Sequence, residues 1–172
     1  MRIPPPSAPL WSLADQERKR YGVGGGVRTD ELLRAAGHEV QIKKLRAAAG
    51  GLEACVLPLG GGRHRFVCDD DASPGEPEEV ERLRTPRQFR VSFRLAHELA
   101  HTVLDSMADA TSFGARSTSA IETRCDEFAA LFLVGQAEAR RAVDRGNPVV
   151  EALARGLDVP QYLVRIAAQL AA

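Results

Sequence analysis

The run FRLAHELAHTVLD, residues 93–105, constrains the fold of this chain more than any other feature. Its two histidines, His97 and His101, lie four residues apart, so a helix places them on one face, one turn from each other. Nearly all of the flanking residues are apolar, which predicts a helix buried in a core. Buried imidazoles need polar partners or a shared ion. The run therefore predicts either a metal site or two hydrogen-bonded core histidines.

Glu98 favours the metal site, because it completes the pattern HExxH. On a helix it is rotated by about 100° from His97, near enough to reach a water on the metal without becoming a ligand. That is the position of a general base. Zinc bound by two histidines needs at least one more protein ligand. The alternative, an amphipathic helix with two solvated histidines, fits the apolar surroundings poorly.

The best candidate for the third ligand is Glu122, on the next predicted helix. No histidine follows His101 in the sequence, and His38 and His64 lie upstream in strand-like segments. In IETRCDEFAALF, Glu122, Cys125, Asp126 and Ala129 share one helix face. Asp126 is predicted to accept the free ring N–H of a ligating histidine and so fix its tautomer. The alternatives are a capping carboxylate for Glu122 and a surface charge for Asp126.

Three other polar residues are weaker candidates. Cys68 ends a strand-like run, and its thiolate would block the open metal position if it reached the ion. A lone cysteine in such a run is more often a small buried hydrophobe. His64 or Tyr162 could stabilise an oxyanion, but no spacing supports either. All three are left out of the predicted site.

The two helices resemble those of the ImmA/IrrE family of metallopeptidases. RVSFRLAHELAH, residues 90–101, is similar to the family's R-F-x-x-A-H-E-x-x-H helix, and IETRCDEFAALFL, residues 121–133, to its E-x-x-A-(N/D)-x-F-A-A helix. A weaker resemblance extends over residues 28–170. The resemblance of the two helices implies a zinc peptidase. Carried over by position, it implies that His97, His101 and Glu122 are the zinc ligands and that Glu98 is the catalytic base.

The sequence departs from this family pattern in three places. Cys125 stands where alanine is usual, and Val134-Gly135 replaces a Met-Pro pair at the end of the helix. The acidic, Pro/Gly-rich stretch at 69–88 is longer than the family's connection. We expect an exposed loop there, which could close over the cleft as a lid.

The order of helix, strands, loop and helices predicts an α+β fold. We expect a small antiparallel or mixed sheet packed against a mainly helical, zincin-like core, with short C-terminal helices. DELLRAAG predicts a helix capped by Thr29 or Asp30 and closed by Gly37. HEVQIKKL predicts a strand, and LEACVLPL and RHRFVCD predict a hairpin around the glycines at 60–62.

Three regions are predicted along the chain. Residues 1–27 are assigned to a flexible arm and 28–147 to the metallopeptidase domain. Residues 148–172 form a helical tail, broken at Gly156 and Pro160, that is packed on the domain or docked to it.

The composition excludes several classes of partner. The 23 basic and 23 acidic residues give a net charge of zero, which predicts no direct binding of nucleic acid or anionic membranes. The three cysteines are odd in number and widely spaced, so they form no disulfide framework. No run has the length of a membrane span, and the proline-broken N-terminus lacks a signal peptide. We expect a cytoplasmic protein.

The resemblance implies a specific protein substrate, commonly a helix-turn-helix repressor in a bacterial cell, whose cleavage releases stress-response or mobile-element genes. One alternative is a non-proteolytic, metal-containing module that sequesters its regulator, as an anti-repressor or antitoxin would. The intact Glu98 favours the enzyme. Another is a toxin-type peptidase held inactive by a partner. Zinc suits the ligands best, although manganese or iron would fit the same set.

Overall fold

The computed structural model describes residues 9–24, 26–45, 53–70, 87–105 and 119–172. Over these ranges the chain forms seven helices and one small sheet, which confirms the α+β prediction. In chain order the elements are α1 Leu10–Arg20, α2 Thr29–Ala35, β1 Glu39–Lys43, β2 Ala54–Gly60, β3 Arg63–Asp69, α3 Arg87–Asp105, α4 Ser119–Val134, α5 Gln136–Arg145, α6 Asn147–Leu157 and α7 Gln161–Ala171.

The sheet is mixed and has the strand order β1-β3-β2. β1 runs parallel to β3, and β2 pairs with β3 as an antiparallel hairpin in which Val56 lies opposite Phe66. Gly61 and Gly62 form the turn with φ of 60° and 74°, values that residues with a Cβ rarely adopt. The hairpin is confirmed, but its turn is tight, whereas the run of three glycines predicts a loose one.

The core lies between the sheet and the paired helices α3 and α4. On α3 the apolar residues Leu95 and Leu99 recur at helical spacing and are almost fully buried, as are Phe128 and Phe132 on α4. Phe66 of β3 is completely buried against this layer. This packing fixes α3 beside α4, and so fixes the distance between the predicted ligands on the two helices.

The prediction of a flexible arm at 1–27 is wrong for residues 10–20, which form α1. Leu13 and Ala14 of α1 are buried in the core, and Arg18 is only 9% exposed. Leu10, Leu13 and Ala14 follow the i, i+3, i+4 pattern of an amphipathic helix. The charged run DQERKR that follows conceals this short apolar stripe when the sequence is read alone.

Two further boundary predictions are wrong. α2 begins at Thr29, and no side chain caps it; the carboxylate of Asp30 instead accepts hydrogen bonds from Arg34 and Gln88. Gly156 lies inside α6, which runs to Leu157. The residue after it, Asp158, adopts the left-handed conformation with φ of 55°. The break near Pro160 and the two helices of the C-terminal region are confirmed.

The C-terminal helices belong to the core. α7 buries Leu163, Val164 and Ala167 and packs against α4 and α5. Among the described residues, no helix combines the length and apolar character that a membrane crossing requires. The predicted lid at 69–88 lies mostly outside the described residues, since 71–86 are not among them.

Candidate metal centre

His97 and His101 project from the same face of α3, as their spacing predicts. Their ring centroids are 5.1 Å apart, and the ring planes meet at 62°. Each side chain is 17% exposed. Their apolar neighbours Leu95 and Leu99 anchor α3 in the core. The two imidazoles are therefore held together at the edge of the core with a narrow opening to solvent.

Helix α4 brings both predicted carboxylates to these rings. Glu122 Oε2 lies 3.0 Å from His97 Nε2, and Glu122 Oε1 lies 3.7 Å from His101 Nε2. On the other side of the same ring, Asp126 Oδ1 is 2.8 Å from His97 Nδ1. Glu122 and Asp126 are one turn apart, so a single helix face reaches both nitrogens of His97.

The donor set fits a metal ion. A His97 ring that donates Nδ1–H to Asp126 keeps a lone pair on Nε2, and this lone pair faces a carboxylate oxygen at 3.0 Å. Such an arrangement needs a cation between the two atoms, either a proton or a metal. Neighbouring ligands of tetrahedral zinc are ~3.4 Å apart, and the two observed separations, 3.0 and 3.7 Å, bracket that value. Ligation at His97, His101 and Glu122 stays a prediction that this geometry supports.

Glu98 is nearly buried, with 9% of its surface exposed. Burial raises the pKa of Glu98 to about 7; the nearby His97 acts in the opposite direction, and Glu122 adds repulsion. A carboxyl with a pKa near neutrality can accept a proton and then give it up again. Glu98 lines the same cavity as His97 and Glu122, and its role as the base stays a prediction.

A cavity of about 310 Å³ opens onto this site. Ala54 at the start of β2 and Phe93 of α3 give it apolar walls, and Arg94 pairs with Glu53 at 3.0 Å on its lining. The rest of the lining is acidic or metal-binding in character: His97, Glu98, Glu122 and Asp126. The cavity thus gives a substrate access to the predicted base and to two of the predicted ligands.

The sequence analysis missed Cys125 as a member of this cluster. Its Sγ and one donor nitrogen from each of His97 and His101 all lie within 4.8 Å of one another, and the residue is completely buried. The signal was present in the sequence, because Cys125 follows Glu122 by three residues on the same helix face. The family pattern has alanine at this position and so gives no reason to expect a ligand there.

The three weaker candidates lie elsewhere. Cys68 is buried in β3 with its Sγ 3.6 Å from the carbonyl oxygen of Asp69. His64 packs against His38 and Phe66 at the far end of β3. Tyr162 lies on α7 and is 51% exposed. None of the three lines the cavity beside His97.

The sequence matches the model of a known family. The model for M78 peptidases, described as an IrrE N-terminal-like domain, matches residues 82–167, which is half of the chain. The matched range contains α3 and α4, and with them every residue of the predicted centre. No curated protein matches the sequence.

Proposed function

Since the chain belongs to the M78 peptidase family with its IrrE N-terminal-like domain, we propose that it is a zinc-dependent endopeptidase that acts on a specific protein substrate. We propose as that substrate a helix-turn-helix transcriptional repressor, cleaved in the cytoplasm to derepress stress or mobile-element genes. The observation that carries the proposal is the convergence of His97, His101 and Glu122 beside the nearly buried Glu98.

The residues of the cluster divide the work of hydrolysis. His97, His101 and Glu122 would hold the ion, and Asp126 would keep the lone pair of His97 Nε2 directed at it. Zinc, when bound, supplies Lewis acidity toward the scissile carbonyl and toward water. Glu98 takes a proton from the water as the water oxygen bonds to the scissile carbonyl carbon, and it gives this proton to the amide nitrogen as the C–N bond breaks. The second proton of the water stays with the new carboxyl group. Burial of Glu98 supports this role, because a base with a pKa near 7 can also return the proton.

The test compares the zinc-loaded full chain with its Glu98→Gln variant, each incubated with the helix-turn-helix regulator encoded beside its gene. We expect the unmodified protein to produce two fragments whose masses sum to that of the regulator plus one water. Glu98→Gln should bind zinc equally and cleave ~10²–10⁴-fold more slowly, which is the usual contribution of a general base. Intact-mass spectrometry follows both reactions.

Two outcomes contradict the proposal in different ways. Equal cleavage by the two proteins would mean that Glu98 is not the base. Stable binding of the regulator without fragments from either protein would instead favour the sequestering module. Labelling of new protein N-termini in cells that express each protein extends the comparison to substrates other than a neighbouring regulator.

A further inference from the structure

Cys125 is a potential metal ligand that the proposed peptidase mechanism does not use. It lies on α4, where Glu122 precedes it by three residues, and its side chain is completely buried. Its Sγ and a ring nitrogen from each of His97 and His101 form a group in which every separation is at most 4.8 Å. The same pair of histidines therefore faces two donors of different chemistry, a carboxylate and a thiol.

The other two cysteines show that this position is specific. Cys68 is as deeply buried, but its Sγ lies against the carbonyl of Asp69, and it is absent from the three-residue group found in the described ranges. Cys55 is half-buried on β2, and burial followed by repulsion from Glu98 raises the pKa of its thiol. Burial alone therefore does not bring a thiol to the histidines.

Thiolate sulfur is a preferred zinc ligand, with Zn–S bonds of ~2.3 Å, and closed zinc sites use four protein ligands drawn from Cys, His and carboxylate. Neighbouring sulfur and nitrogen ligands in such a site are ~3.6 Å apart. The separations among Cys125 Sγ and the two ring nitrogens are at most 4.8 Å, so they exceed this value by no more than about an ångström.

We propose that Cys125 is a fourth protein ligand to the ion held by His97, His101 and Glu122 in the substrate-free protein. This inference rests on the proposed zinc site. As the sulfur–metal bond forms, the thiol proton passes to solvent. Two histidines, a carboxylate and a thiolate would give a bound ion four protein ligands, the number found in closed zinc sites, so the centre would be latent until the thiolate is displaced. An alanine at this position would leave one position open.

The test uses the full chain, stripped of metal with a chelator and reloaded with Co²⁺ alone as a spectroscopic substitute for Zn²⁺. A thiolate ligand produces an intense charge-transfer band in the near ultraviolet, which histidine and carboxylate ligands do not. We expect this band in the unmodified protein and in the matched controls Cys68→Ala and Cys55→Ala. In Cys125→Ala and Cys125→Ser the band should disappear, while the visible bands of bound Co²⁺ remain.

Zn²⁺ affinity gives a second readout, measured by competition with a chromophoric chelator. Loss of a direct ligand should weaken binding in Cys125→Ala by at least the ~10-fold that loss of an outer hydrogen-bonding partner costs. Circular dichroism verifies that each variant is folded. Cys125→Ser preserves the side-chain volume, so a folding defect confined to Cys125→Ala does not prevent the comparison.

Each contrary result has its own signature. Visible Co²⁺ bands without a charge-transfer band, or a band that Cys125→Ala retains, overturns the role of Cys125 and leaves the peptidase proposal intact. Failure of the unmodified protein to bind either Co²⁺ or Zn²⁺ overturns the metal centre and the Cys125 ligand together. A charge-transfer band that depends on Cys125 supports the inference even if no substrate is ever cleaved.

Discussion

At the scale of single residues, one hydrogen bond determines how His97 can act. Asp126 Oδ1 accepts from His97 Nδ1 at 2.8 Å, although the Asp126 side chain is 59% exposed. An exposed ion pair contributes little to folding stability. The consequence of this contact is instead chemical, because it fixes the ring orientation and leaves Nε2 as the nitrogen that faces Glu122.

We predict that Asp126→Ala weakens zinc binding by ~10–100-fold, the usual cost of losing the hydrogen-bond partner behind a ligating histidine. The free energy of unfolding of the metal-free protein should change by less than about 0.5 kcal/mol, as for other exposed substitutions. Chelator competition and urea denaturation measure the two quantities. Glu127→Gln, which removes a carboxylate one residue further along α4, is the control. Equal zinc affinity in both variants would show that Asp126 is only a surface charge.

At the level of the helices, α1 stabilises the C-terminal end of α4. The predicted ligand Glu122 lies on the first turn of the same helix. Arg18 of α1 donates hydrogen bonds from Nη1 to the carbonyl oxygens of Phe132 and Leu133. These carbonyls belong to the last turn of α4, where no helical partner is available. Gly135 follows with φ of 87°, and an added Cβ would lie 2.8 Å from the carboxylate of Glu138 and 3.0 Å from the guanidinium of Arg18. Glycine is favoured here by the positive φ, and a larger residue would also displace the ends of these two side chains.

We predict that Arg18→Met lowers the free energy of unfolding by about 2 kcal/mol. Methionine keeps an apolar stem but removes the charged hydrogen bonds to buried carbonyls. Each such hydrogen bond contributes ~1.5–3 kcal/mol to stability. Lys19→Met is the matched control, because Lys19 is 76% exposed and its ion pair with Asp15, at 2.7 Å, lies on the surface of α1. Urea denaturation compares the two. A similar, small loss in both variants would contradict a capping role for Arg18.

At the scale of the whole molecule, a histidine connects three separate parts of the chain. His38, just before β1, accepts the backbone N–H of His64 on Nδ1 at 3.1 Å, and its Nε2 lies 3.2 Å from the hydroxyl of Tyr21, just after α1. With Nδ1 as acceptor, the neutral ring carries its proton on Nε2 and donates to Tyr21. Burial lowers the pKa of His38, and the nearby His64 and Arg20 lower it further. The contacts of His38 with Tyr21 and His64 therefore require its neutral ring.

We predict that the protein loses stability as the pH falls below about 6.5, the ordinary pKa of histidine. The lowered pKa of His38 means that the unfolded chain binds this proton more readily than the folded one. Stability from His38 is then fully present above the unfolded pKa and is lost as the pH falls through the folded pKa. His38→Asn keeps an acceptor for the N–H of His64 but does not titrate. Its urea midpoint, measured with chelator from pH 7.5 to 5.5, should fall less than that of the unmodified protein. Parallel curves would show that His38 is not responsible.

Those parts of the site whose residues are close together in the sequence could be predicted from the sequence alone. HExxH fixes His97, Glu98 and His101 on one helix through the 3.6-residue period, and the spacing of Glu122 and Asp126 fixes a second helix face in the same way. The glycines at 60–62 determined the hairpin, because few other residues adopt positive φ. In each case, residues within one or two turns of each other carry the information.

Which of these helix faces pack against each other, and which other side chains lie beside them, depends on the tertiary structure. α1 packs in the core because a narrow apolar stripe finds a surface on α4, and no local pattern identifies that surface. Cys125 lies beside the two histidines because α4 packs on α3, which brings side chains from distant parts of the sequence within 4.8 Å of one another. The pKa of Glu98 likewise depends on burial by neighbouring elements. Local periodicity sets the direction of a side chain, whereas its surroundings depend on contacts between residues that are far apart in the sequence.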